Sequence, residues 1–378
     1  MFEILTHLQL QQYWWFLMSV VGSLLVFLLF VQGGQTLVDT LGKNNPERNM
    51  VINSIGRKWE FTFTTLVMFA AGMFASFPLF YATSFGGAYY AWKIFLICFV
   101  LQAVSFEFRR KKGNVLGQRT YEWFLYINGF FGTFLLGVVV ASFFTGSGFL
   151  RNEYNLSFWQ SEYYGLELLL NFTNLSLGIA MVFLARTLGA LYIITNINSE
   201  DILARARKQA GINAVVFLIF FIVFIFRIFI QDGYAYDPLS GKVFLEANKY
   251  LKNYLQMPVA IILFLSGVGL VLYGIGVTMF KDSRAGIWFT GPGTFATVLS
   301  LFWVLGYNNT AFYPSSFDIQ SSLTIENASS SHYTLTAMSY ISLFIPVVLT
   351  YIFFTWRAID KNKIDPKDLE EGGQYHVY

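Results

Sequence analysis

A succession of long, nearly charge-free apolar runs, separated by short polar segments, constrains this chain more than any other feature. Residues 61–80 (FTFTTLVMFAAGMFASFPLF) and 212–226 (INAVVFLIFFIVFIF) carry no Asp, Glu, Lys or Arg. A helix of about 20 apolar residues crosses a hydrocarbon core of about 30 Å. Lipid offers an exposed backbone no hydrogen-bond partner, so each run must be helical. A closed barrel would alternate apolar and polar side chains instead. The chain therefore reads as an all-α polytopic membrane protein. Nine spanning helices are predicted, with cores over residues 13–33, 61–83, 88–107, 123–145, 165–193, 211–230, 257–280, 286–307 and 335–356.

The placement of charge gives the topology. Of 25 basic residues, 18 fall in alternate connecting segments and in the tail. They are Lys43, Arg48, Arg57 and Lys58; Arg109, Arg110, Lys111, Lys112 and Arg119; Arg205, Arg207 and Lys208; Lys281 and Arg284; and Arg357, Lys361, Lys363 and Lys367. The opposite side has only Arg151, Lys242, Lys249 and Lys252. By the positive-inside rule the N-terminus is outside and the C-terminus cytoplasmic, in agreement with an odd helix count. The expected arrangement is one integral membrane domain over 1–378. It would comprise a four-helix bundle over about 13–145, a second over about 165–307, a peripheral helix over about 335–356 and a charged tail over 360–378. Outer loops over 146–164 and 231–256 are long enough for local structure, and a third, 310–333, is Ser-rich and free of Lys and Arg. The first twelve residues lack a cationic region and no small-residue cleavage site follows the first apolar run, so that run is expected to be retained.

Several chemistries are excluded. The single cysteine, Cys98, allows no disulfide, zinc motif or thiol pair within the chain. His7, His332 and His376 all lie outside the predicted spans, whereas a buried haem takes an axial His, Met or Cys. Lone methionines in apolar helices are packing residues, so neither haem nor metal is expected in this chain. Gly267-Val268-Gly269 and Gly274-Ile275-Gly276 lie inside a span with no preceding strand and fail as a dinucleotide loop; they read as close helix packing. No nucleic-acid partner is expected.

Ionisable groups at membrane depth are paired, snorkelled or functional. Lys93 and Glu167, near outer helix ends, are expected to snorkel. Arg186 can reach out or pair across helices, and Arg227 can pair with Asp232 or snorkel. Glu60 opens the second span and Glu107 closes the third. The two spans are joined by only residues 84–87, so these ends are antiparallel neighbours. Two carboxylates at the mouth of a bundle can share and pass a proton. The alternative is interfacial ion pairing, Glu60 with Lys58 and Glu107 with Arg109 or Arg110.

The order of short motifs on this frame is specific. Trp14-Trp15 is followed by Glu47-Arg48, Ile52-Asn53-Ser54-Ile55 and Trp59-Glu60, then by Ser76-Phe77-Pro78, Tyr81-Ala82 and Phe106-Glu107-Phe108-Arg109. Tyr313-Pro314-Ser315-Ser316, Ser322-Leu323-Thr324, Asn327-Ala328-Ser329-Ser330-Ser331 and Leu335-Thr336 come later. In this order and spacing the chain resembles subunit II of cytochrome bd quinol oxidases, over essentially its whole length.

The resemblance implies a two-subunit terminal oxidase of a bacterial cytoplasmic membrane that oxidises quinol and reduces O₂ to water. Subunit I would carry two b haems, haem d and the quinol site. Subunit II would carry no haem, support its partner and line a proton path from the cytoplasm, with Glu60 and Glu107 implicated by similarity. Many relatives have an Asp-Gly-x-Asp run at the end of the first span, where this chain has Gln32-Gly33-Gly34-Gln35. Glutamine holds no net proton, so Gln32 and Gln35 would orient water there rather than carry charge. A structural quinone or lipid between helices and a small accessory subunit are left open. A secondary transporter and a purely structural scaffold subunit are the rival readings. Only Gly291-Pro292-Gly293 hints at the interrupted helices of a transporter.

Overall fold

The computed structural model describes residues 2–111, 113–361 and 363–365. Helix α1, His7–Leu28, starts six residues before its predicted core. Thr6 and Gln9 form a capping box there, each side chain satisfying the other's backbone N–H. Beyond Leu29 the chain continues as α2, Phe30–Gln35, and then α3, Val38–Leu41. Helix α4, Asn45–Gly56, takes Asn44 as its cap and Pro46 in its first turn, where the missing N–H costs nothing. Helix α5, Trp59–Ser76, stops at Phe77 because Pro78 cannot continue the ladder. α6, Pro78–Tyr81, and a π turn over Ala82–Gly86 complete that segment.

Helix α7 spans Tyr89–Phe108 and α8 Gln118–Ile127. A π segment over Asn128–Gly132 joins α8 to α9, Thr133–Thr145. α10, Phe172–Asn196, is capped by Asn171, so residues 166–170 of the predicted span form a 3₁₀ turn instead. α11, Glu200–Ile230, begins eleven residues before its predicted core because its polar first turns continue the same helix. α12, Lys249–Gln256, is followed by α13, Pro258–Phe280, α14, Ile287–Gly306, α15, His332–Ser342, and α16, Ile345–Ile359.

Among the described residues, eight helices are long and apolar enough to cross a membrane, counting α1–α2, α8–α9 and α15–α16 as continuous. The predicted second span is where the count differs from nine. Its polar opening, Trp59-Glu60, and the break before Pro78 leave an 18-residue helix outside that set.

Helix α10 is the buried axis of the molecule, packed against α2, α9, α11 and α14. α1 lies against both α5 and α14, so the first helix meets the last third of the chain. α13 and α14 run in close contact through Gly267 and Gly274, two of the four glycines expected to do so, whereas a Cβ on Gly269 would meet nothing within 4 Å. A Cβ on Gly267 would sit 2.5 Å from the Thr297 hydroxyl, and one on Gly274 would sit 2.2 Å from that of Thr290. Large apolar side chains such as Ile219, Ile222, Ile262 and Leu265 are exposed, as lipid-facing surfaces require.

The three loops predicted to lie outside, 146–164, 231–256 and 310–333, knit together at one end. Phe149–Arg151 pairs with Ser157–Trp159, and Gly233–Tyr236 pairs with Val243–Glu246, as two antiparallel hairpins. Residues of the third loop bridge both segments, Ser315 to Ser147 and Thr310 to Ala235.

Candidate functional site

The site starts from two glycines. A Cβ on Gly33 would lie 1.8 Å from the Ala185 carbonyl, so only glycine allows α2 and α10 to meet backbone to backbone. On the other side of α2, Gly129 packs so closely that its Cβ would meet the Gln32 carbonyl at 2.3 Å. Gly129 belongs to the π segment, a local widening of the helix that recurs at functional sites because it re-aims side chains.

Four side-chain amides are buried on these elements and on the neighbouring α7. Gln32, Gln102 and Asn128 are wholly buried, and Gln35 is 1 % exposed. Gln32 Nε2 donates to Gln102 Oε1 at 3.4 Å. Asn128 faces the stretch of α7 around Phe99, where a Cβ on Gly132 would touch both the Asn128 amide and the Phe99 ring. Six amide atoms have no hydrogen-bond partner among the described residues: Gln32 Oε1, both polar atoms of Gln35, Gln102 Nε2, and both of Asn128. Each unmatched buried polar group costs about 1–3 kcal/mol. Clusters of this kind are satisfied by buried water, each molecule making about three hydrogen bonds. The arrangement is therefore chemically suited to holding a chain of water, with amides that both donate and accept.

The acids expected at the mouth lie outside this seam. Glu60 and Glu107 are both exposed. Between them Trp59 and Phe106 stack with centroids 5.8 Å apart, which brings the ends of α5 and α7 together as the short loop required. Two of the expected alternative partners, Lys58 and Arg109, go elsewhere. Lys58 is fully buried and pairs with Asp360 at 3.0 Å. Arg109 pairs with Glu122 at 2.7 Å, and Glu107 meets the exposed Lys111 at 3.6 Å.

Glu122, which the sequence reading passed over, is the buried carboxylate of this end. Arg109, Arg119 and Arg48 surround it at 2.7, 3.0 and 3.8 Å, and Arg119 also binds Asp39. Its sequence signal was the Arg119–Glu122 spacing, which puts both on one helix face. Nearby, burial raises the Glu47 carboxyl. Arg205 at 2.9 Å and the Lys43 backbone N–H outweigh this and hold it below its usual range.

Of the other singled-out charges, Lys93 is exposed with its ammonium over the Tyr89 ring. Glu167 accepts from the Trp159 indole and the Gly165 N–H. Arg186 pairs across helices, donating to Thr36 and to Asn213 Oδ1 at 2.8 Å. Arg227 reaches Thr173 at 3.2 Å. Asp232 is not its ion-pair partner among the described residues. His7 and His332 sit together, each with Nε2 bonded to a carbonyl, of Ser330 at 3.0 Å and of Leu5 at 2.9 Å. His376 lies outside the described residues. Among the described residues no three His, Cys, Asp or Glu side chains cluster as a metal site.

Comparison with known proteins agrees with this frame. A solved chain titled "The structure of bd oxidase from Geobacillus thermodenitrificans" shares the fold at a TM-score of 0.63 and 13 % identity, covering 94 % of this chain and all of the other. Cytochrome bd-I ubiquinol oxidase subunit 2 of Escherichia coli K12 is 28 % identical over 94 % of this chain and 96 % of its own length. Cytochrome bd ubiquinol oxidase subunit 2 of Bacillus subtilis is 26 % identical over 87 % and 89 %. The family profile described as cytochrome bd terminal oxidase subunit II matches residues 10–359, and this chain belongs to that family.

Proposed function

We propose that this chain is the haem-free companion of a haem-bearing subunit I in a bacterial cytoplasmic membrane, and that it conducts protons toward its partner. The partner's two b haems and haem d supply electron transfer and O₂ reduction, driven by quinol oxidised on the partner. The described residues of this chain hold and move protons. Glu60 and Glu107, flanking the Trp59–Phe106 stack, collect them at the basic, cytoplasmic end. Water held by Gln32, Gln35, Gln102 and Asn128 carries them inward. With no carboxylate in the seam, the excess proton travels on water and the amides orient each successive donor and acceptor. Moving charge across part of the membrane makes the process electrogenic, a full crossing being worth about 2.3 kcal/mol per 100 mV. Two four-helix bundles with α16 as the peripheral helix remain our description of the architecture.

The observation that carries this reading is the group of six unpartnered amide atoms on four buried side chains. The test is O₂ consumption by the two-subunit complex. Asn128→Leu, Glu60→Gln and Glu107→Gln should each slow turnover while haem content stays unchanged. Asn128→Leu is expected to have the largest effect, about tenfold or more, corresponding to about 1.4 kcal/mol in the barrier. Wild-type turnover in all three would leave this chain as a scaffold.

A further inference from the structure

His7 and His332 are a titratable pair that the proton path leaves unused. Both lie outside the predicted spans, which excluded them as ligands to a buried haem but not as ligands to a hydrated ion. His7 opens α1 and His332 opens α15, so residues from opposite ends of the chain meet here. Their ring centroids are 6.1 Å apart, with the planes at 74°. Each ring holds the other's segment: His7 Nε2 bonds the Ser330 carbonyl at 3.0 Å and His332 Nε2 bonds the Leu5 carbonyl at 2.9 Å.

These two bonds decide where the protons are. A carbonyl oxygen only accepts, so each Nε2 is the protonated nitrogen, and in a neutral imidazole Nδ1 is then a bare lone pair. Neither Nδ1 makes a hydrogen bond, and neither ring an ion pair, among the described residues. The frame behind the rings is itself fixed. Ser330 donates through its N–H to the Ser76 carbonyl at 2.9 Å and through Oγ to that of Ala75 at 2.6 Å. The Thr6–Gln9 capping box holds the start of α1, and the Ser331 hydroxyl accepts from the Thr334 N–H at 3.3 Å. Histidines that ligate a metal show the same arrangement, the second ring N–H given to a carbonyl so that tautomer and orientation are set in advance. Two imidazoles sharing one ion, each nitrogen at about 2.1 Å, place their ring centres roughly 5–6.5 Å apart, and the observed spacing falls within that range.

We propose that His7 and His332 bind one divalent transition-metal ion of the imidazole-preferring class, Zn²⁺, Ni²⁺ or Cu²⁺, through their Nδ1 atoms, and that the ion cross-links the N-terminal segment to the loop before α15. Among the described residues no third His, Cys, Asp or Glu joins the pair. Water therefore completes the coordination, and the ion is exchangeable rather than a closed structural centre. The positive ends of α1 and α15 oppose a cation and keep the affinity modest. Hard ions such as Mg²⁺ prefer oxygen and are not held. A pair that served only as a clasp would be replaced by glutamine without loss, because a glutamine Nε2 also donates to a carbonyl but offers no imidazole lone pair. The site does not depend on the amide seam or the proton path.

The test uses the two-subunit complex, purified without a histidine tag and washed with chelator, as wild type, H7Q, H332Q, H7Q/H332Q and the tail variant H376Q. Metal taken up in equilibrium dialysis against Zn²⁺ or Mg²⁺ is measured by elemental mass spectrometry, and thermal midpoints are read with each ion. Wild type should take up one more Zn²⁺ per complex than H7Q/H332Q and be stabilised by Zn²⁺ but not by Mg²⁺. H7Q and H332Q should each weaken uptake at least as much as loss of an outer-shell partner does, about tenfold or more, while H376Q matches wild type. Where a glutamine variant fails to assemble, electron paramagnetic resonance of the first Cu²⁺ equivalent added to wild type decides instead, with coupling to two imidazole nitrogens expected. Equal Zn²⁺ uptake by wild type and H7Q/H332Q overturns the proposal. So does equal stabilisation by Mg²⁺, a first Cu²⁺ equivalent without that coupling, or uptake that H376Q abolishes.

Discussion

Lys58 is the most exacting test of how this fold is held. Its side chain has no solvent exposure, yet its ammonium sits 3.0 Å from Asp360, whose carboxylate is only 17 % exposed. Tyr192 and Asn196 donate to the same carboxylate, and the Lys58 ammonium lies 4.4 Å from the centre of the Trp356 ring. The chain beyond Asp360 is pinned as well: Ile364 bridges Ile197, and the Asn198 side chain donates to Asp365. Asp360→Asn keeps the shape and both neutral hydrogen-bond partners but strands a buried ammonium. Breaking one side of a buried pair costs about 3–5 kcal/mol, whereas replacing both sides by apolar groups is often neutral. The double variant K58M/D360L should therefore recover most of what Asp360→Asn and Lys58→Met each lose. The assay is a double-mutant cycle on thermal midpoints of the purified complex, with limited proteolysis after Arg357 as a local readout of whether the end of α16 has come loose. An Asp360→Asn protein as stable as wild type, with an equally protected C-terminus, would refute the placement of an uncompensated charge at the heart of this contact.

Two further outcomes follow from the same contacts. Gly33→Ala should prevent α2 from seating on α10, because its methyl group would overlap the Ala185 carbonyl. The expected cost exceeds the 1–3 kcal/mol (about) of ordinary overpacking, and it is read as lost assembly; a well-assembled Gly33→Ala protein would show that the helices are not in backbone contact. The Glu47–Arg205 pair makes a pH-dependent contribution. Because the Glu47 carboxyl is held below its usual 4.5 in the folded protein, the contribution is complete above that value and fades as pH falls through the lower folded value. The gap in thermal midpoint between wild type and Arg205→Gln should accordingly narrow on acidification from pH 7, about neutral, and a gap independent of pH would contradict the assignment.

Hydropathy and charge bias are local properties, summed over one stretch of chain, so the apolar runs alone decided that this polypeptide is a helical membrane protein. Their order with the short motifs, from Trp14-Trp15 to Leu335-Thr336, was enough to point to its family. Gln32 and Gln35 were reached through the resemblance, as the glutamines standing where many relatives carry an acidic run. Their company was not. Gln102 and Asn128 lie in other helices, and whether an amide faces lipid or a neighbour depends on helix rotation. That rotation is set here by the close approach at Gly33 and Gly129 and by the π segment over Asn128–Gly132. The same holds for the acids. Glu60 and Glu107, placed by the sequence at neighbouring helix ends, are exposed there, while Glu122, at the edge of a loop, is drawn in by three arginines from separate segments. Lys58, the alternative ion-pair partner for its neighbour Glu60, instead reaches the far end of the chain at Asp360. One-dimensional periodicity fixes which segments enter the membrane. Which side chains meet there is decided by the packing of helices against one another, and that becomes definite only in three dimensions.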